Sequence, residues 1–247
     1  MGETMHIYAH RGFSGKYPEN TMAAFRAAAE LKVEGIELDV QMTKDGEVVV
    51  IHDERVDRTT NGTGFVKDYT YQELSRFDAG SWFHPDFSNE MVPRLGEVLR
   101  FISSIGDPIT VNIELKNSLF RYLNLEENVL HEVYRYSLQD RIIISSFCYE
   151  SLEKVRSLDE NISLAFLIQG IKRNAVEKAK AIHADIHCQK SFALSKYGKE
   201  AVNEGCRLRV YTVNHVKDYI PLKEANVSAI ITDVPDAFIS LVNEGAV

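Results

Sequence analysis

At 247 residues, 45% of them apolar, the chain is long enough to bury one large α/β core. Its net charge of −8 argues against a protein that tracks nucleic-acid backbone, which relies on clustered Lys and Arg to displace counterions. No apolar run reaches the roughly 20 residues that span a bilayer, and the first residues lack the basic-then-apolar pattern of an export signal.

In chain order, HIYAH (6–10) reads as a short strand, and TMAAFRAAAELK (21–32) as a helix capped by Asn20 or Thr21. Two runs rich in Val and Ile follow, IELDVQMT and EVVVIHD, joined at Asp45-Gly46, a strong signal for a two-residue hairpin turn. Such a turn sets Asp39 opposite His52 and Glu37 opposite Glu54, so Glu37, Asp39 and His52 share one face. A slip of one residue would scatter them. Residues 54–93, with RTTNGTG and the aromatic GSWFHPDF, read as an inserted segment holding a short helix at YQELSRF.

Beyond Pro93 the pattern alternates. Helices are expected at 95–105, 125–137, 149–158, 175–183, 195–205, 216–226 and 235–245. Strands are expected at 110–116, 141–147, 163–169, 184–188, 207–213 and 229–233. Counting the first hairpin run as one unit gives eight strands, each eventually followed by a helix. With no GxGxxG loop after the first strand, this favours an α/β fold of the closed (β/α)₈ TIM-barrel type over an open doubly wound sheet. One catalytic domain over 1–247 is expected, with EVVVIHD as an extra strand at the barrel mouth. Cys148, Cys188 and Cys206, odd in number and without metal-ligand spacing, fit buried reduced thiols in a cytoplasm.

In such a barrel the chemistry sits at the C-terminal strand ends. The first strand ends His10-Arg11-Gly12, the second carries Glu37 and Asp39, and the third carries Asn112, Glu114 and Lys116 alternating with Val111, Ile113 and Leu115. Glu37, Asp39 and Glu114 make a hard oxygen site of the kind Mg²⁺ or Ca²⁺ occupies, and Mn²⁺ also suits carboxylates. The structural alternative is an ion network in which the acids pair with Arg11 and Lys116. His10 and His52 are the two histidines placed beside the acids, where one imidazole can remove a proton and the other supply one. His84, His131, His183, His187 and His215 are assigned no catalytic role. Arg11 can hold an anionic oxygen bidentately and Lys116 add a point charge. Tyr211, on the seventh barrel strand, is a candidate for the pocket wall or for the core.

Taken together, AHRG, PENT at 18–21, ELDV at 37–40, T-KDG at 43–46, HD at 52–53, RTT-NG-G at 58–64, IELK at 113–116 and TD-P at 232–235 resemble the glycerophosphodiester phosphodiesterase family over essentially the whole chain. The resemblance implies a (β/α)₈ barrel with an insertion after the hairpin, and hydrolysis of glycerophosphodiesters to glycerol 3-phosphate and an alcohol. It places the acid and base histidines on His10 and His52, the ligands of a divalent cation on Glu37, Asp39 and Glu114, and phosphate contacts on Arg11 and Lys116. Where the family often has Trp in the seventh-strand motif this chain has Tyr211, which bears on the glycerol pocket. Three other readings fit an acidic barrel mouth: a lysophospholipase D-type activity on lysophospholipids, a different metal-dependent barrel enzyme such as a sugar isomerase, and a noncatalytic phosphodiester-binding barrel.

Overall fold

The structure, a computed structural model, describes residues 4–243. It opens with β1 (His6–Ala9), α1 (Met22–Glu30) and the hairpin strands β2 (Gly35–Met42) and β3 (Val48–Val50). The insertion holds one short helix, α2 (Tyr71–Leu74), and leads to α3 (Leu95–Ser104) and β4 (Thr110–Leu115). Then follow α4 (Leu125–Arg135), β5 (Ile142–Ser146), α5 (Tyr149–Leu158), β6 (Ser163–Ile168), α6 (Ala175–Ala181) and β7 (Ala184–Cys188). The chain continues through α7 (Lys190–Ala193), α8 (Lys196–Asn203), β8 (Leu208–Val210), α9 (Tyr219–Glu224), β9 (Ala229–Thr232) and α10 (Pro235–Asn243).

Every strand but β3 runs parallel to its neighbours, and β9 pairs back onto β1, closing an eight-stranded TIM barrel with the helices outside. All eight residues of β2 are buried because it lies between β1 and β4, with β3 covering its end. The large apolar cluster lies between the barrel and its helices. Inside the barrel, Tyr8, Ile143, Ala165, Ala229 and Ile231 form a separate cluster. The strand registers stack the inward side chains in layers drawn from alternate strands. One layer holds Tyr8, Asn112, Ala165 and Arg209. Above it come Glu37, Ser145, His187 and Ile231, and at the mouth His10, Glu114, Leu167 and Tyr211.

The hairpin corrects the expected register. Its pairs are Val40 with Val50 and Met42 with Val48, one residue away from what a two-residue turn requires. Thr43 N–H donates to the Glu47 carbonyl, Gly46 N–H donates to the Thr43 carbonyl, and Gly46 sits at φ 88°. This is a three-residue loop ending on a left-handed glycine, which the same Asp-Gly signal also serves. The last rung is Ile51 N–H to the Asp39 carbonyl, so His52 lies past the ladder and reaches the site because the chain turns there.

Other differences are local. The seventh barrel strand is three residues long rather than 207–213, α7 is a short helix ahead of the expected one, and the stretch expected as helix 216–226 starts as a 3₁₀ turn at Val216–Asp218. The final expected helix runs to Asn243, and its last two residues lie outside the described chain. The insertion builds a small core of Val56, Val66, Leu74, Ala79 and Val92 against Val49 and Ile51.

Candidate active site

His10, Glu37, Asp39 and Glu114 come together at the C-terminal ends of β1, β2 and β4, because Asp39 is in register with Glu114 and Ile36 with Ala9. One carboxylate oxygen from each of Glu37, Asp39 and Glu114 lies within 4.8 Å of the others, and all three residues are buried.

Charge within this cluster is unevenly compensated. Asp39 lies 3.2 Å from Lys116 Nζ and 3.3 Å from Arg11 Nε, and accepts from Asn20 Nδ2 at 2.9 Å. Burial opposes its ionisation, but Lys116 and Arg11 outweigh it and hold its pKa below the usual carboxylate range. Glu114 accepts from Lys116 Nζ at 2.7 Å, yet burial, with Asp39 adding to it, still raises its pKa. Glu37 accepts from the Arg11 backbone N–H at 2.9 Å and lies 3.9 Å from His10 Nε2. Burial and the Asp39 charge push it up to about 8. Arg11 makes its backbone contact from φ 54°, an uncommon conformation outside glycine, and this aims its N–H at the carboxylate.

The ion network expected as the structural alternative is therefore present, but incomplete. Among the described residues two cations serve three acids, Glu37 has no lysine or arginine side chain paired to it, and Arg11 Nε is buried without a hydrogen-bond partner. A hard, oxygen-only donor set with residual negative charge suits a divalent cation.

Both candidate histidines are held in the same manner. His10 Nδ1 is 2.6 Å from Asp233 Oδ1, and His52 Nδ1 is 2.6 Å from Asp53 Oδ1. Each carboxylate selects the tautomer with the proton on Nδ1 and leaves Nε2 for other chemistry. Burial works against protonating His10, but the Asp233 hydrogen bond and the Glu37 charge outweigh it and raise its pKa. His52 is near enough to Asp39 and Glu114 for its charge to favour their ionised forms.

Four residues with no role assigned from sequence complete the frame. Asp233 also accepts from Ser14 Oγ and Asn214 Nδ2, and is lowered to about 2: burial opposes this, and the His10 hydrogen bond leads the groups that overcome it. Asp53 is likewise lowered to about 2, with burial outweighed by hydrogen bonds from Arg58 and His52. Arg58, from the insertion, spans Asp53 and Glu19, and Glu19 in turn holds Arg11 Nη1 at 2.7 Å. All four lie inside the motifs quoted above, PENT, HD, RTT and TD-P, which were the available signal.

Tyr211 stands in the mouth layer, but its hydroxyl donates to the Ile168 carbonyl at 2.8 Å and its ring meets Phe147 edge to face. Only the ring is left to face a ligand. The cleft between the hairpin and α3 and α4, lined by Arg94, Glu97, Arg100, His131, Glu132 and Arg135, lies apart from this cluster, and among the described residues no second group of three metal-ligating side chains stands as close together.

Residues 10–237 match the glycerophosphoryl diester phosphodiesterase family. A glycerophosphodiester phosphodiesterase of Caldanaerobacter subterraneus subsp. tengcongensis is 41% identical over 241 residues, covering 97% of this chain and 98% of its own. One from Bacillus altitudinis is 40% identical over 244 residues, covering 96% and 98%. Among solved structures, an Oleispira antarctica phosphodiesterase in complex with the product sn-glycerol-3-phosphate superposes with a TM-score of 0.85 at 27% identity, covering 96% of each chain. Since the match runs almost the length of the barrel and the relatives align from end to end, the chain belongs to the glycerophosphoryl diester phosphodiesterase family of enzymes.

Proposed function

We propose that the protein hydrolyses small glycerophosphodiesters, such as glycerophosphocholine and glycerophosphoethanolamine, to glycerol 3-phosphate and an alcohol. One observation carries this reading: two imidazoles, each locked at Nδ1 by its own aspartate, stand beside a buried Glu37, Asp39, Glu114 cluster edged by Arg11 and Lys116.

Glu37, Asp39 and Glu114 would hold one divalent cation, Mg²⁺ or Ca²⁺, with Mn²⁺ equally suited to the carboxylates. When bound, such a cation polarises the phosphoryl oxygens and offsets charge that grows in the transition state. Arg11 and Lys116 hold the nonbridging phosphate oxygens, and Glu19 fixes the Arg11 guanidinium in place. Of His10 and His52, one Nε2 takes the proton of the attacking hydroxyl or water and the other gives a proton to the departing alkoxide. Asp233 and Asp53 keep both rings oriented and stabilise whichever becomes charged. The ring of Tyr211 forms part of the wall around the glycerol moiety. The three cysteines are free and buried, which supports a reducing, cytoplasmic setting. No helix among the described residues is long and apolar enough to cross a membrane.

The test is release of glycerol 3-phosphate from glycerophosphocholine by purified protein, with chelator and then with Mg²⁺ or Ca²⁺ restored. Release that stops with chelator and returns with metal is expected. His10→Ala and His52→Ala should each lose roughly 10²- to 10⁴-fold in kcat. Near-normal turnover in both variants would sink the proposal.

A further inference from the structure

We infer that the part of the barrel mouth built by the loops after β4 to β8 docks onto an anionic lipid bilayer. The loops after β4, β5, β6, β7 and β8 (116–124, 147–148, 169–174, 189–195 and 211–218) are neighbours around one end of the barrel. They carry Leu119, Leu123, Phe147, Ile171, Leu194 and Val216, six of the twelve large apolar side chains exposed among the described residues. Leu123 is 80% exposed and Leu119 65%.

Apart from Lys116, which is held by Asp39 and Glu114, the same loops hold five Lys or Arg against a single acid, Asp218, in a chain whose net charge is −8. Arg121 pairs with Glu150 and Lys190 with Asp218, while Lys172, Arg173 and Lys217 stand exposed. The loops at the opposite end of the barrel (31–34, 105–109, 136–141, 159–162, 182–183, 204–207 and 225–228) reverse the balance, with six acids against three bases. None of the exposed large apolar side chains lies in them. These five loops are therefore a basic, apolar-tipped sector of the active-site mouth, set apart both from the far end of the barrel and from the insertion, which holds seven acids against four bases over residues 54–93.

Steering of a soluble anionic substrate accounts for the cations but not for six apolar side chains left in water. A second copy of this face would bring like charges together across a two-fold axis. Aliphatic tips offer no stacking to nucleic-acid bases. A bilayer with anionic headgroups accepts both features at once: the tips enter the headgroup boundary while Lys172, Arg173 and Lys217 meet phosphates. Docked in this way, the mouth faces the lipid. Binding itself is independent of which diester is cut, so its test stands apart from the activity assay.

The experiment is co-sedimentation of the full chain with phosphatidylcholine vesicles with and without phosphatidylglycerol, at low and high salt. Binding only to the anionic vesicles, weakened by salt, is expected. Leu119→Ser with Leu123→Ser, and separately Lys172→Glu with Arg173→Glu, should each weaken it roughly tenfold or more. Both variants should melt as the unaltered protein does and turn over soluble glycerophosphocholine within about twofold of it. Absence of binding at low salt would overturn the inference. So would binding indifferent to the leucine pair, which would mark charge attraction alone, or a dimer in solution that the same substitutions disperse.

Discussion

His187 lies inside the barrel with both ring nitrogens buried and without partners, in the same layer as Glu37. Burial, and after it the Arg209 charge, holds its pKa well below 6.5, so the fold tolerates only the neutral ring. In the unfolded chain the imidazole titrates near its ordinary value. Below about pH 6.5 the unfolded chain therefore takes up a proton that the folded chain refuses, and stability present at neutral pH is lost as pH falls. The loss contributed by this group approaches about 1.4 kcal/mol per pH unit. His187→Leu, similar in size and unable to titrate, should flatten that slope, measured by urea unfolding at pH 7 and pH 5. Identical slopes in both proteins would show that His187 is not the group responsible.

At this scale the sequence was most informative where chemistry and strand position coincide. His10, Glu37, Asp39 and Glu114 are ionisable residues at places where a barrel strand opens on its mouth, so pattern alone could gather them. Asp233, Asp53, Glu19 and Arg58 touch those groups rather than the centre, and in a bare sequence they resemble any polar loop residue. Asp233→Asn should lower kcat about 10- to 100-fold, because an amide holds the His10 ring without stabilising its charge. A KM that rises at unchanged kcat would assign Asp233 to substrate binding instead. The sequence gives His187 no catalytic role, and its solitude inside the barrel depends on seven other strands and has no local signature.

Among the elements, the hairpin shows how far local rules reach. Asp45-Gly46 located the turn, but a two-residue loop and a three-residue loop ending on left-handed glycine share that dipeptide, and they differ by one residue in register. The acids still converge because β2 is fixed by β1 and β4 on its two sides, through pairings that lie far away in sequence. His52 converges because it follows the last rung of the ladder, where register no longer decides its direction. Two glycines test this division. Gly46 has φ 88° with open space where a Cβ would stand, so Gly46→Ala should cost only the backbone strain, about 1 to 2 kcal/mol. Gly35 has the Tyr8 ring 2.5 Å from that point, inside the barrel. Gly35→Ala must displace the ring and should cost about 3 kcal/mol, near the upper end for overpacking. Urea midpoints that rank the two variants the other way would contradict this account of which contacts set the fold.

For the whole molecule, the proposed cation site sets stability against function. Three carboxylates lie within 4.8 Å of one another at the barrel mouth, and Glu37, pushed up to about 8, bears the poorest compensation. A cation that binds only the folded chain stabilises it by mass action, about 2.7 kcal/mol at a hundredfold excess over its Kd. For a chain of this size that shift corresponds to several degrees in Tm, at roughly 2 to 4 °C per kcal/mol. Glu37→Gln removes a buried carboxyl that the folded chain holds largely protonated at neutral pH, at a cost to stability, while keeping an oxygen that can accept from the Arg11 N–H. In chelator this variant should melt a few degrees above the unaltered protein, about 1 kcal/mol from relieving that cost. With Mg²⁺ or Ca²⁺ present it should gain little, and its turnover should be lost. The unaltered protein should show the reverse, a low melting temperature in chelator that climbs as either ion is added. If its melting temperature is the same in chelator and in saturating metal, the three carboxylates do not hold a cation, and the incomplete ion network is itself the finished structure.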